Sequence, residues 1–155
     1  MFQSKIHIII NIMSIDRFIH LLAGIVFFVL FIKLSGIRIS NKSMILASIP
    51  MAIGTWVPDW DLFLGIGFHR SPITHSALPA ILIWWVAYKF KINKMIVIGF
   101  ILGLSSHLFW DIVAYGNVQW ISGGNNDRLF LFINGAALIA ATLVIKVKYL
   151  ANRNT

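Results

Sequence analysis

The side chains in this sequence with the chemistry to bind or react are few and close together. Pro58-Asp59-Trp60-Asp61 is followed, after an apolar glycine-containing stretch, by His69-Arg70-Ser71-Pro72-Ile73-Thr74-His75-Ser76. This run holds two of the five acids, all of them Asp, and two of the five histidines. A second cluster, Ser105-Ser106-His107-Leu108-Phe109-Trp110-Asp111, adds one more of each. Imidazole and carboxylate without any Cys suit Zn²⁺, Mn²⁺ or Fe²⁺ rather than a thiolate-seeking ion. The candidate metal ligands are His20, Asp59, Asp61, His69, His75, His107 and Asp111, for one or two ions, Zn²⁺ foremost. Candidate catalytic groups are Asp61 and Asp111, with Asp59 also open as a base, whichever is not committed to metal, and Arg70, which could hold an anionic substrate group bidentately. Plainer readings stand beside these. Asp-x-Asp after Pro58 can cap a turn, the hydroxyls of Thr74 and Ser76 can cap a helix, and Arg70 can snorkel at an interface.

What must position these groups is a membrane bundle. The chain has 155 residues, 59% hydrophobic and 12% charged, with mean hydropathy +0.85. An ordinary soluble domain is about 25% charged. The net charge of +8 is not a nucleic-acid stripe, because the thirteen Lys and Arg fall between apolar runs. The sequence therefore predicts an all-α, polytopic membrane protein of about five transmembrane helices. Residues 1–13 read as an N-terminal extension, 14–150 as the membrane-embedded domain and 151–155 as a polar tail. Translation starting at Met13 would keep every motif residue. Ser14 reads as the N-cap of span one, with Asp16 in its first turn. Span two runs from about Ser43 to Val57 with a kink at Pro50. Span three begins at Ser71-Pro72, as N-cap and first helical residue, and kinks at Pro79. Span four covers about Met95–Tyr115 and span five about Leu129–Val147, after a polar loop at 116–128.

Basic residues in short loops orient the bundle. Lys33, Arg38, Lys42, Lys89, Lys91, Lys94, Lys146, Lys148 and Arg153 fall on one side; Lys5, Arg17, Arg70 and Arg128 fall on the other. This places the C-terminus in the cytoplasm and the N-terminus outside an inner (cytoplasmic) membrane. The acids and the candidate histidine ligands then all lie toward the outer side. Span four repeats Gly99, Gly103, His107 and Asp111 every fourth residue, so one helix face combines close packing with ionisable groups. Span one repeats the arrangement with Asp16, His20 and Gly24. Ionisable groups inside a span are costly and are paired, hydrated or functional.

The ordered set resembles the YdjM-like family, described as LexA-regulated, inner-membrane-associated metal-dependent hydrolases. The set comprises His20, Pro58-Asp59-Trp60-Asp61, His69-Arg70, Thr74-His75-Ser76, Gly103 to Asp111, Tyr115-Gly116 and Trp120. The resemblance covers about residues 14–121. That family is thought to be distantly similar to zinc-dependent phospholipase C. This implies a metal site of Asp59 or Asp61, one of His69 and His75, His107 and Asp111, with Asp111 bridging to a second ion near His20. The chain lacks the further His-x-x-x-Glu and the N-terminal Trp ligand of the phospholipases, and Leu62 stands where the YdjM-like pattern often has a His. A three-metal cluster is not expected.

The function expected from this is metal-assisted hydrolysis of a phosphoester or lipid head group at the outer face. Its partners would be the bilayer and that substrate, not nucleic acid. Two rivals remain. A structural metal site would only staple the helices. An ion or proton transporter would need polar groups through the whole membrane, and the inner halves of the spans have almost none.

Overall fold

The computed structural model describes residues 2–36, 40–119 and 125–151, and for 2–14, 66 and 147–151 only the backbone. Trp120, Arg38 and Arg153 lie outside these residues, as do the side chains of Lys5, His7 and Lys148. Five α-helices follow one another: α1 (Phe2–Ser35), α2 (Asn41–Trp56), α3 (Leu78–Lys89), α4 (Lys94–Ala114) and α5 (Asn125–Ala151). Two 3₁₀ segments, Val57–Leu64 and Ile66–Phe68, link α2 to the turn before α3. The described residues contain no strand, so the fold is all-α. Three stretches are long and apolar enough to cross a bilayer: Ile15–Ser35, Lys94–Ala114 and Asn125–Lys146. With 16 and 12 residues, α2 and α3 fall short of the roughly 20 that span 30 Å of hydrocarbon.

Helix α4 is the axis. It is buried along most of its length and packs against all four other helices. The reason is its glycine repeat. A Cβ at Gly99 would land on the Ala47 carbonyl, and one at Gly103 on the Met51 carbonyl. Gly54 of α2 meets the Phe100 carbonyl and the Leu104 amide from the other side. The backbones of α2 and α4 therefore touch, running parallel, and only residues without side chains allow it. Gly24 brings α1 onto the same pair, against Thr55 and Met51. Antiparallel α5 docks through Gly135, which faces the Phe109 ring and accepts the Ser105 hydroxyl at 3.0 Å. Ile98, Leu102, Leu104 and Leu108 fill the interior, while Leu22, Val26, Trp84, Trp85, Ile133 and Val144 point outward. An apolar rim of this kind is what a hydrocarbon solvent requires.

Several boundaries differ from those read in the sequence. Helix α1 does not begin at Ser14. It runs through from Phe2 because residues 2–13 hold neither Pro nor Gly to interrupt it, so Asp16 is not in a first turn. Helix α3 does not begin at Ser71-Pro72. Residues 71–77 form turns, and the helix starts at Leu78 with Pro79 in its first turn, where a missing N–H costs nothing. Long-range acceptors explain the delay: Asp61 takes the Ser71 amide and Asn134 takes the Ala77 amide, both at 2.9 Å. Helix α5 starts at Asn125, four residues before Leu129, with Asp127 in its first turn.

The bundle has two chemically distinct ends. One carries Lys33, Lys42, Lys89, Lys91, Lys94 and Lys146, where Lys146 Nζ donates to the terminal Ser35 carbonyl of α1. The other gathers the acids and the ring nitrogens.

Candidate metal centre

The glycine contact sets the site, because it lays the end of α2 beside the last turns of α4. The carbonyl of Thr55 sits where α2 gives way to the 3₁₀ segment. Pro58, three residues on, has no N–H to offer it. His107 Nδ1 fills that role at 2.8 Å. A carbonyl only accepts, so Nδ1 carries the hydrogen and Nε2 is left bare. His75 is fixed in the same sense from the other side. The Thr74 hydroxyl donates to Asp61 Oδ2 at 2.6 Å, and its oxygen lies 3.1 Å from His75 Nδ1. Asp61 Oδ2 itself is 3.5 Å from that nitrogen.

The bare atoms converge. His75 Nε2 lies 3.3 Å and His107 Nε2 3.4 Å from Asp111 Oδ2. Among the described residues none of these three buried atoms makes a hydrogen bond. Leaving a buried polar atom unsatisfied costs about 1–3 kcal/mol each. His75, His107 and Asp111 each offer one ligand atom, all within 4.8 Å of one another. A divalent cation would satisfy all three at once, and the other nitrogen of each histidine already faces an oxygen acceptor of the kind metal-bound imidazoles use. The residues present fit a metal.

A second group of the same closeness is His20, Asp59 and His107. Its His20 ring stacks on His107 with centroids 3.8 Å apart, and His107 Nε2 is 3.8 Å from Asp59 Oδ1. Thr55 holds the other nitrogen of His107, so the two groups share Nε2, and one ion takes it. Asp111 faces both sides, with Oδ2 toward His75 and His107 and Oδ1 3.7 Å from His20 Nε2. That is the placement of a bridging carboxylate.

The other sequence candidates sit around this core. Asp61 belongs to neither group. It receives the Ser71 amide and the Thr74 hydroxyl and faces His69 Nδ1 at 3.3 Å. Burial alone would raise its pKa, but hydrogen bonds from His69, His75, Thr74 and the Ser71 amide hold the carboxyl well below the usual carboxylate range. It therefore orients His75 from behind. The hydroxyl of Thr74 serves Asp61 and not a helix cap. His69 is likewise outside both groups, with its side chain 25% exposed. Burial opposes the charged form of His75, yet the Asp111 and Asp61 carboxylates beside its ring outweigh it and push its pKa up to about 9 while no ion is bound. Arg70 adopts φ 61°, lies over the Tyr115 ring at 3.6 Å and donates to Asn117 Oδ1, at the rim.

Two participants were not among the candidate ligands named from the sequence. Asp16 Oδ2 lies 3.5 Å from His20 Nε2, and its Oδ1 accepts the Tyr115 hydroxyl at 2.5 Å. The i, i+4 spacing of Asp16 and His20 was a usable signal. The Thr55 carbonyl had none, since every residue carries one.

An all-helical chain with membrane-length apolar helices, and with His and Asp gathered at one end of the bundle, is an integral membrane protein with a candidate metal centre. A model of the YdjM inner membrane protein family matches residues 15–153, and the chain belongs to that family. That span takes in all seven candidate ligands. No curated protein and no solved structure matches the chain.

Proposed function

We propose that this protein is a metal-dependent hydrolase of the inner membrane, acting on a phosphoester, a lipid head group foremost, at the outer face. The observation that carries the reading is the convergence of His75 Nε2, His107 Nε2 and Asp111 Oδ2, buried and without hydrogen bonds among the described residues. A bound divalent ion would acidify a water molecule and offset charge on the phosphoester. His75, His107 and Asp111 would hold it, with His20 and Asp59 as ligands on the Asp111 Oδ1 side. Asp61 is engaged by four donors, so it positions His75 and does not act as base. Asp59 is the least buried carboxylate among the candidate ligands, 7% exposed against 2% for Asp61 and 1% for Asp111. It would take the proton that such a water releases. Arg70, at the rim, meets the anionic substrate.

In this reading all five helices cross the bilayer, α2 prolonged by the 3₁₀ segment and α3 by the turn before it. The basic end faces the cytoplasm, which puts the centre at outer headgroup depth.

A second reading has support in the closure of the site, where His75 and His107 are fully buried and Asp111 is 1% exposed. An ion there would staple α4 to the turn before α3 without catalysis, and one held also by His20 and Asp59 would add α1 and the 3₁₀ segment. One experiment separates the two. Protein purified without chelator should carry about one or two Zn, Mn or Fe ions. His75→Ala, His107→Ala and Asp111→Asn should each lose most of that metal, non-additively. Metal-loaded wild type should hydrolyse bis-p-nitrophenyl phosphate, and Asp59→Asn should not, while keeping the ion on His75, His107 and Asp111. Bound metal with no hydrolysis selects the staple; no bound metal ends both readings.

A further inference from the structure

A groove in the described surface lies beside the centre, not in it. It is a cavity of about 400 Å³ between α3 and α5, within the range of small-molecule sites. Its walls are Pro72, Ile73, Ala77 and Ile81 on one side and Phe130 and Asn134 on the other. Both helices leave the His/Asp end here, and the groove lies along the 71–77 turn and the first turns of each.

We propose that this groove seats one acyl chain of a membrane lipid, with the lipid's polar end at the Arg70–Pro72 corner. The assignment rests on four observations. The polar side chains in the walls are consumed internally. Ser76 Oγ donates to the Ile73 carbonyl and accepts the Leu78 amide, both at 3.2 Å. Asn134 accepts the Ala77 amide and donates to the Phe130 carbonyl, both at 2.9 Å. What remains is apolar and open, with Ile73 61% and Ile81 56% exposed. One wall of the groove is α5, a helix long and apolar enough to cross a bilayer, so lipid hydrocarbon is the solvent expected at its mouth.

The last observation is continuity with the centre. The groove wall and the metal-facing His75 belong to the same seven-residue turn, which Asp61 clamps at Ser71 and Asn134 at Ala77. A lipid whose chain lies against Ile73 and Ile81 brings its phosphate to the rim where Arg70 and His69 stand. Combined with the hydrolase reading, on which this step alone rests, it makes the substrate a glycerophospholipid rather than a soluble phosphoester.

The test uses full-length protein in vesicles of phosphatidylethanolamine doped with an analogue carrying a diazirine on one acyl chain. Photolabelling should be saturable, competed by unlabelled lipid and concentrated on Ile73, Ile81 and Phe130. Ile81→Trp, which fills the groove, should lose most of that labelling while keeping wild-type metal content; Ile133→Trp, on the outer face of α5, should not. For a metal-loaded enzyme, Ile81→Trp should also lower the ratio of long-chain to soluble phosphodiester hydrolysis about tenfold. Labelling spread evenly over exposed positions such as Ile25 and Ile133, or unchanged by Ile81→Trp, overturns the groove assignment. Groove labelling without hydrolysis of any phosphoester sustains the lipid site and removes the hydrolase reading.

Discussion

Replacing Asp61 with Asn asks whether this carboxylate stands behind His75 or beside it on the ion. The two side chains have the same shape. As Asp, Oδ2 accepts from the Ser71 amide at 2.9 Å and the Thr74 hydroxyl at 2.6 Å and lies 3.5 Å from His75 Nδ1. As Asn, one of the two oxygens becomes an N–H₂ donor. If it faces Thr74 and His75, it reverses the sense of the hydrogen bonds there. His75 then does best with Nδ1 as acceptor, which puts the hydrogen on Nε2, the atom needed by the metal. Loss of such an orienting partner weakens metal binding by roughly 10- to 100-fold, or about 1.4–2.7 kcal/mol at 1.36 kcal/mol per decade. The assay is competition for Zn²⁺ against a chromophoric chelator in detergent, with metal content read again at saturation. Asp61→Asn should show this weaker affinity with unchanged stoichiometry, because His75, His107 and Asp111 all remain. An affinity within twofold of wild type would show that Asp61 orients nothing. Loss of an ion even at saturating Zn²⁺ would place Asp61 in the coordination sphere, and its role behind His75 would be wrong.

Three further outcomes are expected. Gly103→Ala should destabilise by about 1–3 kcal/mol, seen as a lower unfolding midpoint in detergent. The new methyl meets the Met51 carbonyl and the Thr55 amide, which are backbone and cannot swing aside. Gly67→Ala, with open space around it, should stay within about 0.5 kcal/mol of wild type, and equal effects at the two sites would refute the packing argument. In chelator-treated protein, His75 has a folded pKa of about 9 against an ordinary 6.5. Its contribution to stability is thus complete below pH 6.5 and disappears as pH rises to 9. Thermal midpoints should fall across that window in wild type and not in His75→Ala; parallel curves would remove His75 as the cause. Because the chain has no cysteine, Gly67→Cys and Asn125→Cys should react with an impermeant maleimide in intact cells while Asn93→Cys does not. Labelling of Asn93→Cys alone would invert the orientation.

Composition and periodicity determine a good deal by themselves. So few charges among so many apolar residues leave a bilayer as the solvent, where only helices and closed β-barrels satisfy the backbone N–H and C=O groups, and long continuous apolar runs in place of short alternating ones select the helix. Gly99, Gly103, His107 and Asp111 fall on one face because a helix returns every 3.6 residues, and the structure turns that face inward against α2. His20, His75, His107, Asp59 and Asp111 were nameable because ionisable groups are rare and expensive in such a chain. What was not legible depends on contacts between residues far apart in sequence. Thr74-His75-Ser76 looks like a helix start, and becomes a turn only because Asp61 and Asn134 take its flanking amides. The division of labour between Asp59 and Asp61, or between His69 and His75, follows from which way each side chain of the 57–77 segment points once α2 lies on α4. Local spacing carries no record of that. The hydrogen on His107 is set by the Thr55 carbonyl, 52 residues away. Such an acceptor is invisible in a sequence, since every backbone supplies one and only tertiary structure decides which is left without a partner.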